Sequence, residues 1–376
     1  MNSNCGSSSC PMSRSTRSAI TPGSNGCSAR VTEELGLLGR RRFIGGGLIK
    51  ISVLDVGHGS CAVLHGDGAP SIVDGGVGKT LLEFLYDDPP DEIDTIVISH
   101  ADQDHISGLR LALRSRLLRD IPIGTVFVNP AQAKTSQVWA RLVVHLEKRQ
   151  LRHGTDILPL KAGDRWTVGD SGRCELEVLS PPYVKTLANT NDNNMSGVVR
   201  IHVDDEPEIL LPADVDSAAL NALLERGDDL NAAIAVFPHH GGAAGDGNAQ
   251  DFARRLMEAV QPAVTMLSLG RRRFQNPNPS VMQGIALAGV PTHIGCTQLS
   301  SRCCSEVPAT TRSELVHPSA GSRFNESCTG TVTFEYESPH RWSSSPDLSG
   351  HAAFVEQFPG RLCAPTAVTT RPNANL

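Results

Sequence analysis

Two imidazoles and two carboxylates fall within six consecutive positions, as His100, Asp102, Asp104 and His105. Groups of these types held so close would repel and desolvate one another unless a cation compensated them, because buried ionised carboxylates are rarely tolerated unpaired. The order H-x-D-x-D-H therefore reads as a metal-binding loop. A polar loop that caps a helix accounts for one or two of these residues and leaves the others without a reason. Asp214 follows the apolar run Ile209-Leu210-Leu211, at the end of a strand that reads as buried, where a lone carboxylate is costly. His239 and His240 close another apolar stretch, and the glycines after them, Gly241 and Gly242, let the backbone approach a site closely. Asp74, before Gly75-Gly76, reads on its own as a turn residue.

The elements that must carry these residues are legible from periodicity and turn chemistry. Short β-rich runs at 48–55, 60–65 and 71–74, separated by glycine turns, predict an antiparallel meander. A helix at 79–85, a strand at 93–98, a helix at 108–118, a strand at 125–128 and an amphipathic stretch at 136–151 follow. The second half repeats this logic, with strands at 174–179, 197–203, 208–211, 232–237 and 263–267 and helices at 217–226, 249–260 and 279–287. Strands in a meander and then alternating with helices, twice over, predict an α/β fold of two packed sheets with helices outside. Residues 1–45 read as a disordered leader rich in Ser and Gly, and 46–338 as one domain with a less ordered Cys-rich segment at 296–328. One more strand is expected at 330–336, and 339–376 reads as a flexible tail.

Composition narrows the class. The 376 residues are 39% hydrophobic, enough for a sizeable core, and 34 Lys and Arg against 40 Asp and Glu leave a net charge of -6. That excludes a global basic field for nucleic acid, so any polyanion binding must be local. No apolar run reaches the roughly 20 residues a spanning helix needs, and the expectation is a soluble, cytoplasmic protein that engages no membrane. The 10 cysteines, spread along a long chain, are expected to be reduced.

The H-x-D-x-D-H order, downstream of Val73-Asp74-Gly75-Gly76, resembles the signature loop of the metallo-β-lactamase superfamily. Within it the pattern is most similar to the soluble hydrolase domain of ComEC-type competence proteins. The matching motifs are Leu54-Asp55-Val56-Gly57-His58-Gly59, Asn191-Asp192-Asn193-Asn194-Met195-Ser196, Leu210-Leu211-Pro212-Ala213-Asp214 and Phe237-Pro238-His239-His240-Gly241-Gly242. The resemblance implies an αββα sandwich and two divalent metal ions, Zn or Mn. It implies that His100 and Asp102 hold one ion, Asp104 and His105 the other, that Asp214 bridges them, and that one of His239 and His240 completes the second site. Asp74 and Asn194 would stand behind the ligands, Asp74 by accepting the other N–H of a ligand histidine. Two departures stand out: no histidine lies between the loop and Asp214 in the region 172–200, and Asn276-Pro277-Asn278-Pro279 replaces a Gly-His-Pro.

The implied activity is a phosphodiesterase or nuclease working through a hydroxide that bridges two metals, with Asp104, His239 and His240 as the candidate catalytic groups. Whichever of His239 and His240 is not a ligand is a candidate proton donor. Arg271, Arg272 and Arg273, beside Phe274, are the candidate grip on a phosphodiester substrate, DNA or RNA. No protein partner is deducible. The alternatives are a small-molecule hydrolase, acting on a cyclic nucleotide, a phosphocholine ester, a thioester or a lactone, and a structural zinc protein built on Cys296, Cys303, Cys304 and Cys328.

Overall fold

Within β4 (Ile93–Ile98) the side chains divide between two cores: Val97 joins one, and Ile96 and Ile98, on the opposite face, join another. The same split recurs in β10 (Glu206–Leu211), where Ile209 and Leu211 face one way and Leu210 the other. A strand buried on both faces must lie between two layers, which is the reading that fits the continuous apolar runs of these strands. A computed structural model describes residues 48–130, 136–181, 195–245, 247–309 and 312–363. They belong to a unit spanning Gly46–Leu376.

Two sheets build it. The first contains β1 (Lys50–Val53), β2 (Ala62–His65), β3 (Ser71–Val73), β4, β5 (Ile123–Val128), β6 (Asp156–Pro159), β14 (Val332–Ser338) and β15 (Arg341–Ser345), in the order β15-β14-β1-β2-β3-β4-β5-β6. Its β1 to β3 meander is antiparallel as expected, and β3 to β6 run parallel. The second contains β7 (Arg165–Val168), β8 (Cys174–Ser180), β9 (Val198–Val203), β10, β11 (Ile234–Val236), β12 (Val264–Leu267) and β13 (His293–Cys296), in the order β13-β12-β11-β10-β9-β8-β7. Strands β10 to β13 are parallel and β7 to β10 antiparallel.

Ile51, Leu64, Val73 and Val97 from the first sheet meet Leu176, Val199, Ile201, Ile209, Ile234 and Met266 from the second in the middle layer. Helices α1 (Thr80–Asp87), α2 (Gln103–Arg114) and α3 (Gln137–His153) cover the outside of the first sheet through Leu81, Leu85, Ile106, Leu109, Leu142 and Leu146. Helices α4 (Ser217–Arg226), α5 (Ala249–Val260) and α6 (Pro279–Leu287) cover the second through Leu220, Leu223, Phe252, Leu256 and Ile285. This is the αββα sandwich. No helix among the described residues is long and apolar enough to cross a membrane.

Three expectations need correction. Helix α2 begins at Gln103 rather than 108, because Asp102 occupies the N-cap position and the amides of His105 and Ile106 both bond to its carbonyl. Asp104 and His105 therefore ride on the first helical turn. Within 296–328 the described residues, 296–309 and 312–328, are held in place rather than loose: Cys296, Cys303 and Cys328 are buried, and Gln298 bridges to Ser327. Of the tail expected at 339–376, the described part forms β15 and a further helix, α7 (Leu348–Glu356), whose Leu348, His351 and Val355 are buried, and 364–376 lie outside the described residues. The leader 1–45 lies outside the described residues.

Candidate metal centre

Every functional position lies just beyond the carboxyl end of a strand, where in open parallel sheets the backbone turns away and leaves a crevice. Asp74 follows β3, Ser99 and His100 follow β4, Asp214 follows β10, and His239 and His240 follow β11. Two sheet edges are thereby brought to one site. The loop after β3 is locked to helix α2 through glycine: a Cβ on Gly108 would stand 2.0 Å from the Gly75 carbonyl oxygen, and the Gly75 amide bonds to the His105 carbonyl at 2.6 Å. Only this close approach sets the first turn of α2, with Asp104 and His105, against the ends of β3 and β4.

Asp74 is the organising group. It is 1% exposed, and it accepts from the Ser99 amide at 2.9 Å, the Ser99 hydroxyl at 2.6 Å and His105 Nδ1 at 2.7 Å. With its proton committed to Asp74, the Ser99 hydroxyl is left to accept from His100 Nδ1 at 3.0 Å. Both rings therefore carry their hydrogen on Nδ1 and turn Nε2 inward as a lone pair, the arrangement that fixes a ligand tautomer. The inward atoms are buried and have no hydrogen-bond partner: His100 Nε2, His105 Nε2 and His240 Nε2 all stand in this state.

They surround Asp214. His105 Nε2 lies 3.5 Å and His240 Nε2 3.7 Å from Asp214 Oδ1, and His100 Nε2 lies 3.8 Å from Oδ2. Two groups of donor atoms result, each with all its members within 4.8 Å of one another: His100, His105 and Asp214, and His58, Asp104 and His240. His58 Nε2 is 3.5 Å and His240 Nε2 3.7 Å from Asp104 Oδ2. Buried imidazole nitrogens and carboxylate oxygens that converge in this way form a donor set that fits divalent ions.

The electrostatics agree. Burial, and then the neighbouring His240, drive His58 down to about 4, and burial and His105 do the same to His100. Both rings are thus neutral at physiological pH, as ligation requires. Burial opposes charge on His105 too, but Asp214 and Asp74 outweigh it and hold that ring well above its usual value. Burial likewise opposes ionisation of Asp214, and His240 and His105 overcome it. The carboxylates demand a cation at His105, a proton or a metal.

The remaining expected residues fall as follows. Asp102 Oδ2 lies 3.8 Å from His100 Nε2, on the expected side. His105 groups with His100, where the resemblance paired it with Asp104, because Asp74 turns its ring toward Asp214. His239 sits outside both groups, its Nδ1 3.8 Å from Asp214 Oδ2. Its amide bonds to Asp214 Oδ1, and both His239 and His240 adopt left-handed backbone, a strain concentrated at the site. Asn276 and Asn278, in the departing Asn-Pro segment, brace that turn through bonds to the His239 and Gly241 carbonyls. Asn194 lies outside the described residues. Arg271 is no substrate grip: it is buried, and its guanidinium donates to the carbonyls of Leu299, Cys304 and Ser305. Arg272 and Arg273 do line an open cleft of about 250 Å³, which they share with His58, Gly270, Gln298 and Phe324.

Two functional positions escaped the sequence reading. His58 was visible only as part of a Gly-His-Gly turn, and Ser99 only as a residue beside His100. His58 joins the site because Gly59 has no side chain. A Cβ there would stand 2.2 Å from the Asp104 carbonyl oxygen, and Ser60 bonds to that same oxygen at 3.2 Å.

Residues 54–183 match the family model described as metallo-beta-lactamase superfamily. ComE operon protein 3 of Bacillus subtilis is 26% identical over 207 residues, which cover 54% of this chain and 24% of that protein. The chain thus matches about a quarter of the length of that curated relative. Among solved structures, the metallo-beta-lactamase fold protein YhfI from Bacillus subtilis is 14% identical, with a TM-score of 0.46 over 66% of this chain and 96% of that one. A metallo hydrolase of Ignicoccus hospitalis is 16% identical, with a TM-score of 0.43 over 77% of this chain and 100% of that one. Residues 54–183 thus match a metallo-beta-lactamase superfamily model, and the described residues fold as an αββα sandwich.

Proposed function

We propose that the protein is a metal-dependent hydrolase of phosphodiester bonds, with His100, Asp102, Asp104, His105, Asp214 and His240 as ligands and His58 added to them. The observation that carries this reading is the set of buried, unpartnered imidazole nitrogens facing Asp104 and Asp214 beside a cleft lined by Arg272 and Arg273. Divalent ions held there would supply water activated near neutral pH and charge stabilisation at a leaving oxygen. The chain's own residues do the rest. Asp74 and Ser99 fix the two ring tautomers, and the inter-sheet packing keeps bulk water from their far side. Arg272, tied to Glu326 at 2.7 Å, and Arg273 present guanidinium edges to an anionic substrate. His239, outside both donor groups, is the candidate to pass a proton to the leaving group.

A second reading, a small-molecule phosphoester hydrolase, is favoured by one observation: a cleft of about 250 Å³ admits a mononucleotide-sized group more readily than a duplex. A panel of bis-p-nitrophenyl phosphate, single- and double-stranded DNA, RNA and a thioester, each assayed with Zn and with Mn, tests both. Phosphodiester cleavage is expected, and turnover of the thioester alone overturns the proposal. Binding to single-stranded DNA that weakens steeply as salt rises favours a polymeric substrate over the small one.

A further inference from the structure

Among the described residues the exposed aromatic side chains are Tyr86, Phe274 and Phe324, and the last two flank the cleft beside the metal centre. Phe324 lines the cleft directly, with the Arg272 guanidinium 4.3 Å from its ring centre. Phe274 stands 4.7 Å from the His58 ring, centre to centre, and 5.0 Å from the Arg273 guanidinium, and both of those side chains line the cleft. Phe274 is 65% exposed and Phe324 53%. A single exposed apolar side chain is ordinary, but two aromatic rings at one cleft, each beside a guanidinium, make a patch of one chemistry that the core does not need.

Both rings are carried on braced backbone. Gly270 lets the run that ends in Phe274 reach the His58 turn, because a Cβ there would stand 2.6 Å from the His58 amide nitrogen. Phe274 and Gln275 then adopt left-handed backbone, with φ of 60° and 51°, and Arg302 Nε donates to the Gln275 carbonyl at 2.6 Å. Left-handed backbone at a bulky residue is strained, and here it leaves an apolar ring in the open, a combination that folding by itself disfavours. Phe324 ends a short 3₁₀ turn, Ala320–Phe324, tied to the chain just after β1: the Ala320 amide bonds to the Asp55 carbonyl at 2.8 Å and the Gly321 amide to Asp55 Oδ2 at 2.9 Å. Rings fixed before a ligand arrives lose little freedom when it binds.

We propose, resting on the phosphodiesterase reading, that Phe274 and Phe324 set specificity by stacking an unpaired nucleobase, so that the site selects phosphoesters of nucleotides over esters that carry no base. Every base presents a π face, and an exposed aromatic side chain offers it a platform. The arginines decide between a base and the other ligand that aromatic faces attract, a quaternary ammonium. Guanidiniums 4.3 and 5.0 Å from the two ring centres repel a cationic head group such as choline, while they attract a phosphate. A base inside a duplex is already stacked on its neighbours, so the platform reads bases that are unpaired. The Phe274 ring adjoins His58, which belongs to the donor group with Asp104 and His240, so a base stacked there brings its own phosphate toward those donors.

The test compares two diesters with the same leaving group, the p-nitrophenyl esters of thymidine 5′-phosphate and of methyl phosphate, on the full chain supplied with Zn or Mn. The kcat/KM ratio is expected to favour the thymidine ester by on the order of 10- to 100-fold, chiefly through KM. Phe274→Leu combined with Phe324→Leu keeps apolar volume and removes the π faces, and should collapse that ratio. Phe274→Tyr combined with Phe324→Tyr should restore it. Because the ratio is taken within one preparation, incomplete folding or metal loading cancels from it. A wild-type ratio near one, or a ratio that survives both leucines, overturns the stacking and leaves hydrolysis standing. Cleavage of neither ester overturns the hydrolase reading instead, and binding then decides the stacking. Thymidine 5′-phosphate is expected to bind about 10-fold or more tightly than deoxyribose 5-phosphate, and equal affinities overturn the proposal. Oligothymidylate that binds more tightly than thymidine 5′-phosphate assigns the base to a strand, and equal binding assigns it to a single nucleotide. In both cases the leucine variant must bind more weakly, or the proposal fails.

Discussion

Asp74 contacts no substrate-facing space, yet three donors converge on it, and the tautomers of both His100 and His105 descend from that convergence. Asp74→Asn keeps the shape and removes the acceptor charge, so the His105 ring loses the partner that directs its lone pair inward. A fall in metal affinity of about 10- to 100-fold is expected, read by competition with a chromophoric chelator, while the far-UV circular dichroism stays unchanged. Unchanged affinity would reduce Asp74 to the turn residue its sequence context suggests. The contrast with His58 shows what was legible at this scale. His100, Asp102, Asp104 and His105 declared themselves because like residues sat together in the sequence. His58 stands alone between glycines, and only the approach of Gly59 to the Asp104 backbone gives it a carboxylate neighbour, a contact that no local spacing encodes. Arg271 erred in the opposite direction: three adjacent arginines look equivalent in sequence, but burial among carbonyls commits the first to structure.

At the scale of elements, the site depends on two joints. The first is the glycine contact between the β3 turn and α2. Gly108→Ala drives a methyl into the Gly75 carbonyl, and the helix must retreat. A loss of about 1–3 kcal/mol of stability is expected, together with weakened metal binding, because Asp104 and His105 move with the helix. Chemical denaturation and the same chelator competition read the two effects. The second joint is a cross-strand ladder in which Arg165 of β7, Glu177 of β8 and Arg200 of β9 are direct register partners. Glu177 accepts from Arg200 Nε at 2.8 Å and from Arg165 at 2.5 Å, and lies 2.9 Å from His202 Nε2. Burial opposes its ionisation, but His202, Arg200 and Arg165 together hold it down at about 2. A depressed carboxylate contributes stability that is complete above its unfolded pKa and disappears as pH falls through its folded one. The ladder's contribution is therefore lost between about pH 4.5 and pH 2. Glu177→Gln should flatten the stability curve over that window and cost about 1–3 kcal/mol at neutral pH, since the buried Arg200 then keeps only Asp229, 3.2 Å away, as a carboxylate partner. Denaturant midpoints measured at intervals of pH decide it. Of this joint, β8 and β9 were legible because apolar residues alternate along them, Leu176 and Val178 in one and Val199 and Ile201 in the other, whereas β7, like β6, was not. They are short and mostly exposed, and they become strands only because β5 and β8 offer them an edge.

Across the whole molecule, the last described residues carry more than their composition suggests. Ser, Pro, Gly and Asn dominate the segment beyond 339 and predict looseness, but its few apolar residues are spaced to bury: Leu348, Val355 and Phe358 are each at most 8% exposed. Three such side chains at roughly 1.5–3 kcal/mol apiece are comparable with the about 5–15 kcal/mol that holds a typical domain together. The segment also completes a polar contact between the sheets. Glu208 of β10, 0% exposed, accepts from the His340 amide at 2.7 Å and from Trp342 Nε1 at 2.8 Å, and burial raises its pKa. Ending the chain at Pro339 would remove both donors, strand that carboxylate and uncover the β14 edge to other chains. The truncated protein is therefore expected to lose its cooperative thermal transition and to elute as aggregate. Adding Glu208→Leu should restore part of the folded fraction, because it removes the buried charge without replacing the apolar contacts. A truncated chain that melts like the full one would mean that the sandwich is complete without β15 and α7.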